Sequence, residues 1–202
     1  GDAVIAAGYA SDFDGLNGPT VDAAEGDGRA ALGVTVAGQD VRLEGVGQLD
    51  LGGIAKGWTA DLVARYLRGL GATQWLVDAG GDIVLGGEDA EERLIAVELT
   101  GLTIGLRDGA VATSSTQKRA WDTPLGPKHH IIDPTRGVPT DHEYVLATVL
   151  AESAAVADAL ATAMLADPER ADRALAGHRA QAILVTRRGD AFMSPGMDGY
   201  LR

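Results

Sequence analysis

The chain has 202 residues, of which 46% are hydrophobic and 23% are charged, as in an ordinary globular protein. Its 17 Lys and Arg against 29 Asp and Glu give a formal charge of −12, which argues against nucleic acid as a partner because phosphate backbones bind clustered cations. The absence of cysteine excludes disulfides, thiolate nucleophiles and thiolate zinc sites. No run approaches the roughly 20 apolar residues of a transmembrane segment, so we expect none in this chain.

Short apolar and β-branched runs between turn residues predict a series of strands. The first two, residues 34–36 and 41–43, are separated by a short polar turn and predict a hairpin. The other predicted strands are, in chain order, residues 75–77, 83–85, 94–99, 103–106, 110–116, 144–150, 182–185 and 191–193. We expect the strand at 75–77 to be buried and the region 122–127 to be a turn.

Apolar residues at helical spacing predict three helices. The first covers residues 58–70 and ends at Gly71, and the second covers residues 154–165 after Ser153 as N-cap. The third covers residues 169–175. Because strands and helices do not alternate regularly, we expect an α+β fold with mainly antiparallel sheet flanked by helices.

A glycine-rich turn at residues 52–57 leads into the first helix. Its backbone N–H groups and the positive end of the helix dipole suit a phosphate, and Lys56 would add a positive charge. The spacing is not that of a Walker A loop, however, and lone glycine motifs are weak signals. A tight strand-to-helix turn with a solvated lysine is the alternative interpretation.

A second glycine turn follows the predicted strand at 75–77. Gly80 and Gly81 would let a backbone approach a planar ligand closely, and Asp78 and Asp82 could accept its hydrogen bonds. An aspartate-rich hairpin turn is the alternative, which the residues by themselves favour.

Asp158 and Thr162 lie four residues apart and so share one face of the second helix. A carboxylate and a hydroxyl are hard oxygen donors that suit Mg²⁺, which leaves other positions for water or phosphate. The alternative is an alanine-rich packing helix with Asp158 on its solvent side.

His130 and Asp133 lie where an apolar run ends in an Asp-Pro turn. A histidine at this position could act as a base or orient a phosphate. A partly buried histidine satisfied by a backbone carbonyl is the alternative, and it is the commoner case.

Together and in this order, these segments resemble the ApbE family, flavin transferases that use FAD to attach FMN to other proteins. The resemblance is carried by residues 50–57, 78–83, 112–114, 130–134 and 157–163. It implies that Asp158, Thr162 and the main-chain carbonyl of Ala55 hold Mg²⁺, and that His130 assists catalysis as a base beside the metal ligand Asp158.

The resemblance also implies FAD as substrate, AMP as product and an acceptor flavoprotein that carries a Thr or Ser flavinylation site. The residues implied to contact the flavin nucleotide are Gly52, Gly53, Lys56, Asp78, Gly80, Gly81, Asp82, Thr113, Ser114, His130, Ile131 and Asp133. With water in place of the acceptor hydroxyl, the same site would be an FAD pyrophosphatase giving FMN and AMP. A non-catalytic flavin-binding module is a further interpretation.

Family members carry a longer N-terminal region with a Met-Gly-Thr segment near the flavin, and that tripeptide does not occur here. We therefore expect residues 1–202 to form one ApbE-like domain that lacks this region. Members of the family are often extracytoplasmic and lipid-anchored, and the sequence leaves the compartment of this chain open.

Overall fold

The computed structural model describes residues 33–44, 50–124 and 126–202. These described residues form two compact units, the first containing residues 33–44, 50, 116–124 and 126–141 and the second containing residues 51–115 and 142–202. The strands of the described residues are β1 (Gly33–Ala37), β2 (Asp40–Glu44), β3 (Trp75–Asp78), β4 (Ile83–Gly86), β5 (Arg93–Ala96), β6 (Thr103–Leu106), β7 (Gly109–Ser115), β8 (Ala120–Thr123), β9 (Gly126–His129), β10 (Tyr144–Ala151), β11 (Gln181–Thr186) and β12 (Ala191–Met193). The helices are α1 (Ala55–Gly69), α2 (Ala154–Ala166), α3 (Pro168–Gly177) and a 3-10 helix (Met197–Tyr200).

The second unit is built on a six-stranded sheet in the order β12-β11-β10-β7-β4-β3. Every neighbouring pair in this sheet is antiparallel, and β5 and β6 form a separate antiparallel pair. The predicted α+β fold with mainly antiparallel sheet is therefore confirmed.

The two faces of this sheet carry different side chains because successive strand residues point to opposite sides. One face contributes Val111, Leu146 and Ile183 to a buried apolar cluster that also includes Ile104 of β6 and Met197 of the 3-10 helix. The other face of β7 carries small residues and packs against α2. An alanine-rich helix fits there because small side chains let helix and sheet approach closely.

Local capping sets where the two C-terminal helices begin. Ser153 accepts a hydrogen bond from the Val156 N–H, so the predicted N-cap of α2 is confirmed. The side chain of Asp167 caps α3 in the same way, which starts this helix one residue earlier than the pattern predicted. Helix α1 begins at Ala55, three residues before the predicted start, so the glycine turn leads directly into its first turn.

In the first unit, β1 and β2 form the predicted hairpin. Strands β8 and β9 form a second hairpin in which Trp121 pairs with Lys128. The expectation of a simple turn at 122–127 is wrong, because the turn-forming residues occupy the strand ends as well as the connection. The hydroxyl of Thr123 supports the hairpin by donating to the Gly126 carbonyl oxygen at 2.8 Å.

The expectation of a buried strand at 75–77 is also wrong. Among the described residues, strand β3 is one of the two edge strands of the six-stranded sheet, and Leu76 is 49% exposed on it. Its apolar side chains resemble those of a central strand, but position in the sheet is decided by pairing with distant segments.

None of the helices in the described ranges is both long and apolar enough to cross a membrane.

Candidate functional site

Helices α1 and α2 approach each other most closely where both begin. A Cβ atom added to Gly57 of α1 would lie 2.1 Å from the carbonyl oxygen of Ala154, the first residue of α2. Only glycine allows this approach. The Gly57 N–H also donates to Asp158 Oδ2 of α2 at 3.2 Å. The pattern of small residues noted in the sequence therefore serves a direct helix–helix contact that brings Asp158 to the N-terminus of α1.

Three charged side chains from separate elements meet at this point. Lys56 Nζ lies 2.5 Å from Asp82 Oδ2 and 3.2 Å from Asp158 Oδ1. Asp82 is only 1% exposed and Asp158 only 2% exposed, whereas the lysine side chain reaches the cluster from a half-exposed position. The alternative of a solvent-facing Asp158 is thus contradicted, and Lys56 is paired rather than solvated.

The cluster perturbs the protonation of its members. Burial raises the pKa of Asp82 to about 6, and the nearby charge of Asp158 acts in the same direction against the lowering influence of Lys56. Burial by itself would lower the pKa of Lys56, but its hydrogen bond to Asp82 and the charges of both aspartates outweigh burial, so this pKa is raised. Lys56 consequently stays charged at neutral pH beside a carboxyl group that binds a proton unusually well.

The segment from Asp78 to Asp82 is a hairpin turn between β3 and β4. Asp78 Oδ1 accepts the Gly81 N–H at 2.7 Å, and the Ala79 N–H donates to the Asp82 carbonyl oxygen at 2.9 Å. Gly80 and Gly81 have φ values of +72° and +97°, which explains the glycine pair. The turn separates the two aspartates: Asp78 stays exposed, while Asp82 enters the charged cluster.

Thr162 lies one helical turn beyond Asp158. Its Oγ1 is 3.0 Å from Ser114 Oγ of β7, and a Cβ added to Gly53 would lie 3.2 Å from the same oxygen. The glycine turn, α2 and β7 therefore converge on Thr162. Thr113 is on the opposite face of β7, where its hydroxyl is 2.9 Å from that of Thr148. Of the two hydroxyl residues predicted for the site, the structure brings only Ser114 to Thr162.

The oxygen donors around Asp158 suit a hard divalent cation. Mg²⁺ is commonly bound by one or two carboxylates, with water and substrate phosphate completing its shell. Asp158 and Asp82 already share one cation, the Lys56 ammonium, and Thr162 adds a hydroxyl on the same helix face. The Ala55 carbonyl oxygen, which the family resemblance implies as a further metal ligand, accepts a hydrogen bond from the Thr59 hydroxyl at 2.8 Å. Within the described ranges no three His, Asp or Glu side chains form a group that could hold a metal by themselves, so hydroxyl, carbonyl and phosphate oxygens would have to complete the shell.

His130, Ile131 and Asp133 belong to the first unit. The His130 Nδ1 lies 3.3 Å from the Arg119 carbonyl oxygen. Asp133 Oδ1 accepts the backbone N–H and the hydroxyl of Thr135, both at 2.7 Å. Burial acts to raise the pKa of Asp133, but these hydrogen bonds outweigh it and the pKa is lowered. Asp133 thus stabilises its own turn, and Ile131 is buried.

Sequence reasoning missed Asp61, which lies one helical turn after Gly57. Its carboxylate accepts the backbone N–H groups of Ala154 and Ala155, each at 2.9 Å. The available signal was its spacing: Asp61 follows Gly57 by four residues on α1, just as Asp158 follows Ala154 by four residues on α2.

The protein thus has an α+β fold in which Lys56 pairs with the buried carboxylates of Asp82 and Asp158 at the place where α1 and α2 begin. The sequence profile of the ApbE family matches residues 22–184, and the chain belongs to this family.

Relatives of known name agree with this membership. An FAD:protein FMN transferase of Vibrio cholerae is 34% identical over 154 residues, which are 71% of this chain and 46% of that protein. One from Escherichia coli strain K12 is 28% identical over 166 residues, 76% of this chain and 47% of that protein. The chain thus spans about half the length of the curated relatives it matches.

Solved structures show the same fold. The crystal structure of an ApbE protein from Thermotoga maritima superimposes with a TM-score of 0.72 at 27% identity and covers 84% of this chain and 59% of its own. The flavin transferase ApbE from Vibrio cholerae gives a TM-score of 0.64 at 27% identity, covering 83% of this chain and 57% of its own.

Proposed function

We propose that this chain carries the centre of an FAD:protein FMN transferase, which moves FMN from FAD to a Thr or Ser hydroxyl of an acceptor flavoprotein and releases AMP. The observation that carries the proposal is the cluster of Lys56, Asp82 and Asp158 at the N-terminus of α1. FAD brings an anionic diphosphate to a protein of charge −12, and the cluster itself contains one positive and two negative groups. It therefore suits a divalent cation, which would supply the positive charge that the diphosphate needs. The names of the relatives support the same reaction.

In this proposal Asp158, Thr162 and the Ala55 carbonyl hold Mg²⁺. The bound ion supplies charge neutralisation on the diphosphate oxygens. Lys56 adds a second positive charge beside the same oxygens, and Ser114 orients the Thr162 hydroxyl through their 3.0 Å contact. The turns at residues 52–57 and 78–82 position the flavin nucleotide, and the positive end of the α1 dipole favours its phosphates.

The transfer itself exchanges one phosphorus–oxygen bond for another. The acceptor hydroxyl oxygen bonds to the phosphorus of the FMN half, while the bond from that phosphorus to the bridging oxygen breaks. AMP leaves with this oxygen and its electron pair. In this proposal the His130 imidazole takes the hydroxyl proton as general base.

The test measures AMP by chromatography after incubation of the chain with FAD. We expect AMP with Mg²⁺ and none in EDTA, and mass spectrometry of a flavoprotein with a Thr or Ser flavinylation site should show one added FMN. AMP without a labelled acceptor would instead indicate the FAD pyrophosphatase. FAD binding without AMP would indicate a non-catalytic module.

Asp158→Asn tests the metal assignment at nearly constant shape. We expect Mg²⁺-dependent AMP release to fall by more than about 100-fold, since loss of an outer-shell partner alone costs about 10–100-fold. Asp172→Asn, at an exposed position of α3, removes the same charge away from the cluster and should keep full activity. Full activity in folded Asp158→Asn would show that the metal assignment is wrong.

A further inference from the structure

The N-termini of α1 and α2 cap each other. Asp61 of α1 accepts the N–H groups of Ala154 and Ala155 at the start of α2, each at 2.9 Å. Asp158 of α2 accepts the N–H of Gly57 at the start of α1. Unpaired N–H groups at helix starts need acceptors, and each helix obtains one from the other.

The two helices differ in how far they depend on this exchange. The N-cap residue of α1, Ile54, provides no side-chain hydrogen bond, so the Gly57 N–H relies on Asp158. Helix α2 has its own cap in Ser153, which accepts the Val156 N–H. Asp61 therefore does more than cap the start of α2, because its two hydrogen bonds also connect α2 to α1.

This connection decides where the Asp158 carboxylate points. One of its oxygens is held by the Gly57 N–H, which directs the other oxygen to Lys56. Any shift of the start of α2 along α1 would change the contacts of Asp158 with Gly57 and with Lys56. The backbones of Gly57 and Ala154 are already so close that no side-chain atom fits between them. In the part of the chain that the structure describes, Asp61 hydrogen bonds to the α2 backbone and not to Lys56 or Asp82.

We propose that Asp61 is a positioning residue that sets the register of α2 on α1 and thereby holds Asp158 in the orientation for binding a divalent cation. This inference rests on the proposed function, since it takes Asp158 to be a metal ligand. Asp61 itself touches neither the cation nor the substrate. Its effect is transmitted through the backbone of residues 154–158, which is rigid because it is helical.

The test compares cation affinity in Asp61→Ala, Asp61→Asn and Ser153→Ala, with Mn²⁺ as the probe and its electron paramagnetic resonance signal as the measure of free ion. Ser153→Ala is the matched control, because it removes a cap from the same helix start without touching the link to α1. All variants are measured well below their melting temperatures, with circular dichroism to verify folding.

We expect Asp61→Ala to weaken Mn²⁺ binding by about 10–100-fold, as for other residues that orient a metal ligand. Asp61→Asn, which keeps one acceptor oxygen and replaces the other by a donor, should weaken it as well and serves if the alanine variant does not fold. Ser153→Ala should bind within about twofold of the unaltered chain, since the link between α1 and α2 is intact.

Two results would overturn the inference. Folded Asp61 variants that bind Mn²⁺ like the unaltered chain would show that Asp61 is only a helix cap. Equal weakening in Ser153→Ala would show a general loosening of the helix start. Absence of Mn²⁺ binding to the unaltered chain would instead contradict the proposed metal site, so the two failures are distinguishable.

Discussion

Replacement of Gly57 by alanine tests whether the close approach of α1 and α2 holds the second unit together. The added Cβ would lie 2.1 Å from the Ala154 carbonyl oxygen, so the helices would have to separate by about 1 Å to restore an ordinary contact. Overpacking of this kind costs about 1–3 kcal/mol, and loss of the Gly57–Asp158 hydrogen bond adds about 1–2 kcal/mol. The better helix propensity of alanine returns about 1 kcal/mol. We expect a net destabilisation of about 1–4 kcal/mol, with a central value of about 2.5 kcal/mol.

Gly69 provides a matched control on the same helix, because a Cβ at this position meets no atom within 4 Å. Gly69→Ala should leave the free energy of unfolding unchanged or raise it by up to about 1 kcal/mol. Urea denaturation measures both variants, and thermal melting should place Gly57→Ala about 5–14 °C below the control, at about 2–4 °C per kcal/mol. If Gly57→Ala were as stable as Gly69→Ala, the inferred helix contact would be wrong.

Two further predictions concern protonation. Because the pKa of Asp82 in the folded chain is about 6, above its ordinary 3.8, the folded state binds this proton more tightly. The contribution of Asp82 to the free energy of unfolding in EDTA should therefore fall by up to about 3 kcal/mol as pH rises from 4 to 6. Urea denaturation should show it as the difference between the pH profiles of the unaltered chain and Asp82→Asn. A parallel pH profile in that variant would contradict the assignment. His130→Ala should slow FMN transfer by about 10²–10⁴-fold, a far larger effect than its loss of FAD affinity measured by fluorescence titration. The exposed His178→Gln is its control, and a fully active His130→Ala would exclude His130 as the base.

The cluster gives Lys56 a defined place in the absence of ligand. Its ammonium offsets part of the negative charge of two buried carboxylates, which would otherwise repel each other more strongly. In the proposed reaction the same three groups meet a diphosphate and a divalent cation, so the lysine can turn to the phosphate once the metal neutralises the aspartates. The pairing therefore stabilises the site before binding and is compatible with its use afterwards.

Local sequence was sufficient for features that depend on neighbours in the chain. The period of apolar residues predicted the three α-helices found in the described part of the chain, and Ser153 was predicted as the cap of α2 because a cap bonds to a backbone group only three residues away. The pair Asp158 and Thr162 was predicted to share a helix face for the same reason. The β8–β9 hairpin was missed, since the strand ends contain the residues that also form turns.

Only the tertiary structure decided which of these groups meet. Lys56 lies 26 residues from Asp82 and 102 residues from Asp158 along the chain, and no local pattern specifies contacts at such separations. Whether Asp158 faced solvent or the interior depended on Gly57, whose missing side chain lets two helices touch. The neighbours Thr113 and Ser114 were equal candidates in the sequence, and the pleat of β7 sends them to opposite faces of the sheet. The sequence thus determined the elements and their caps, while packing of distant segments selected the residues of the site.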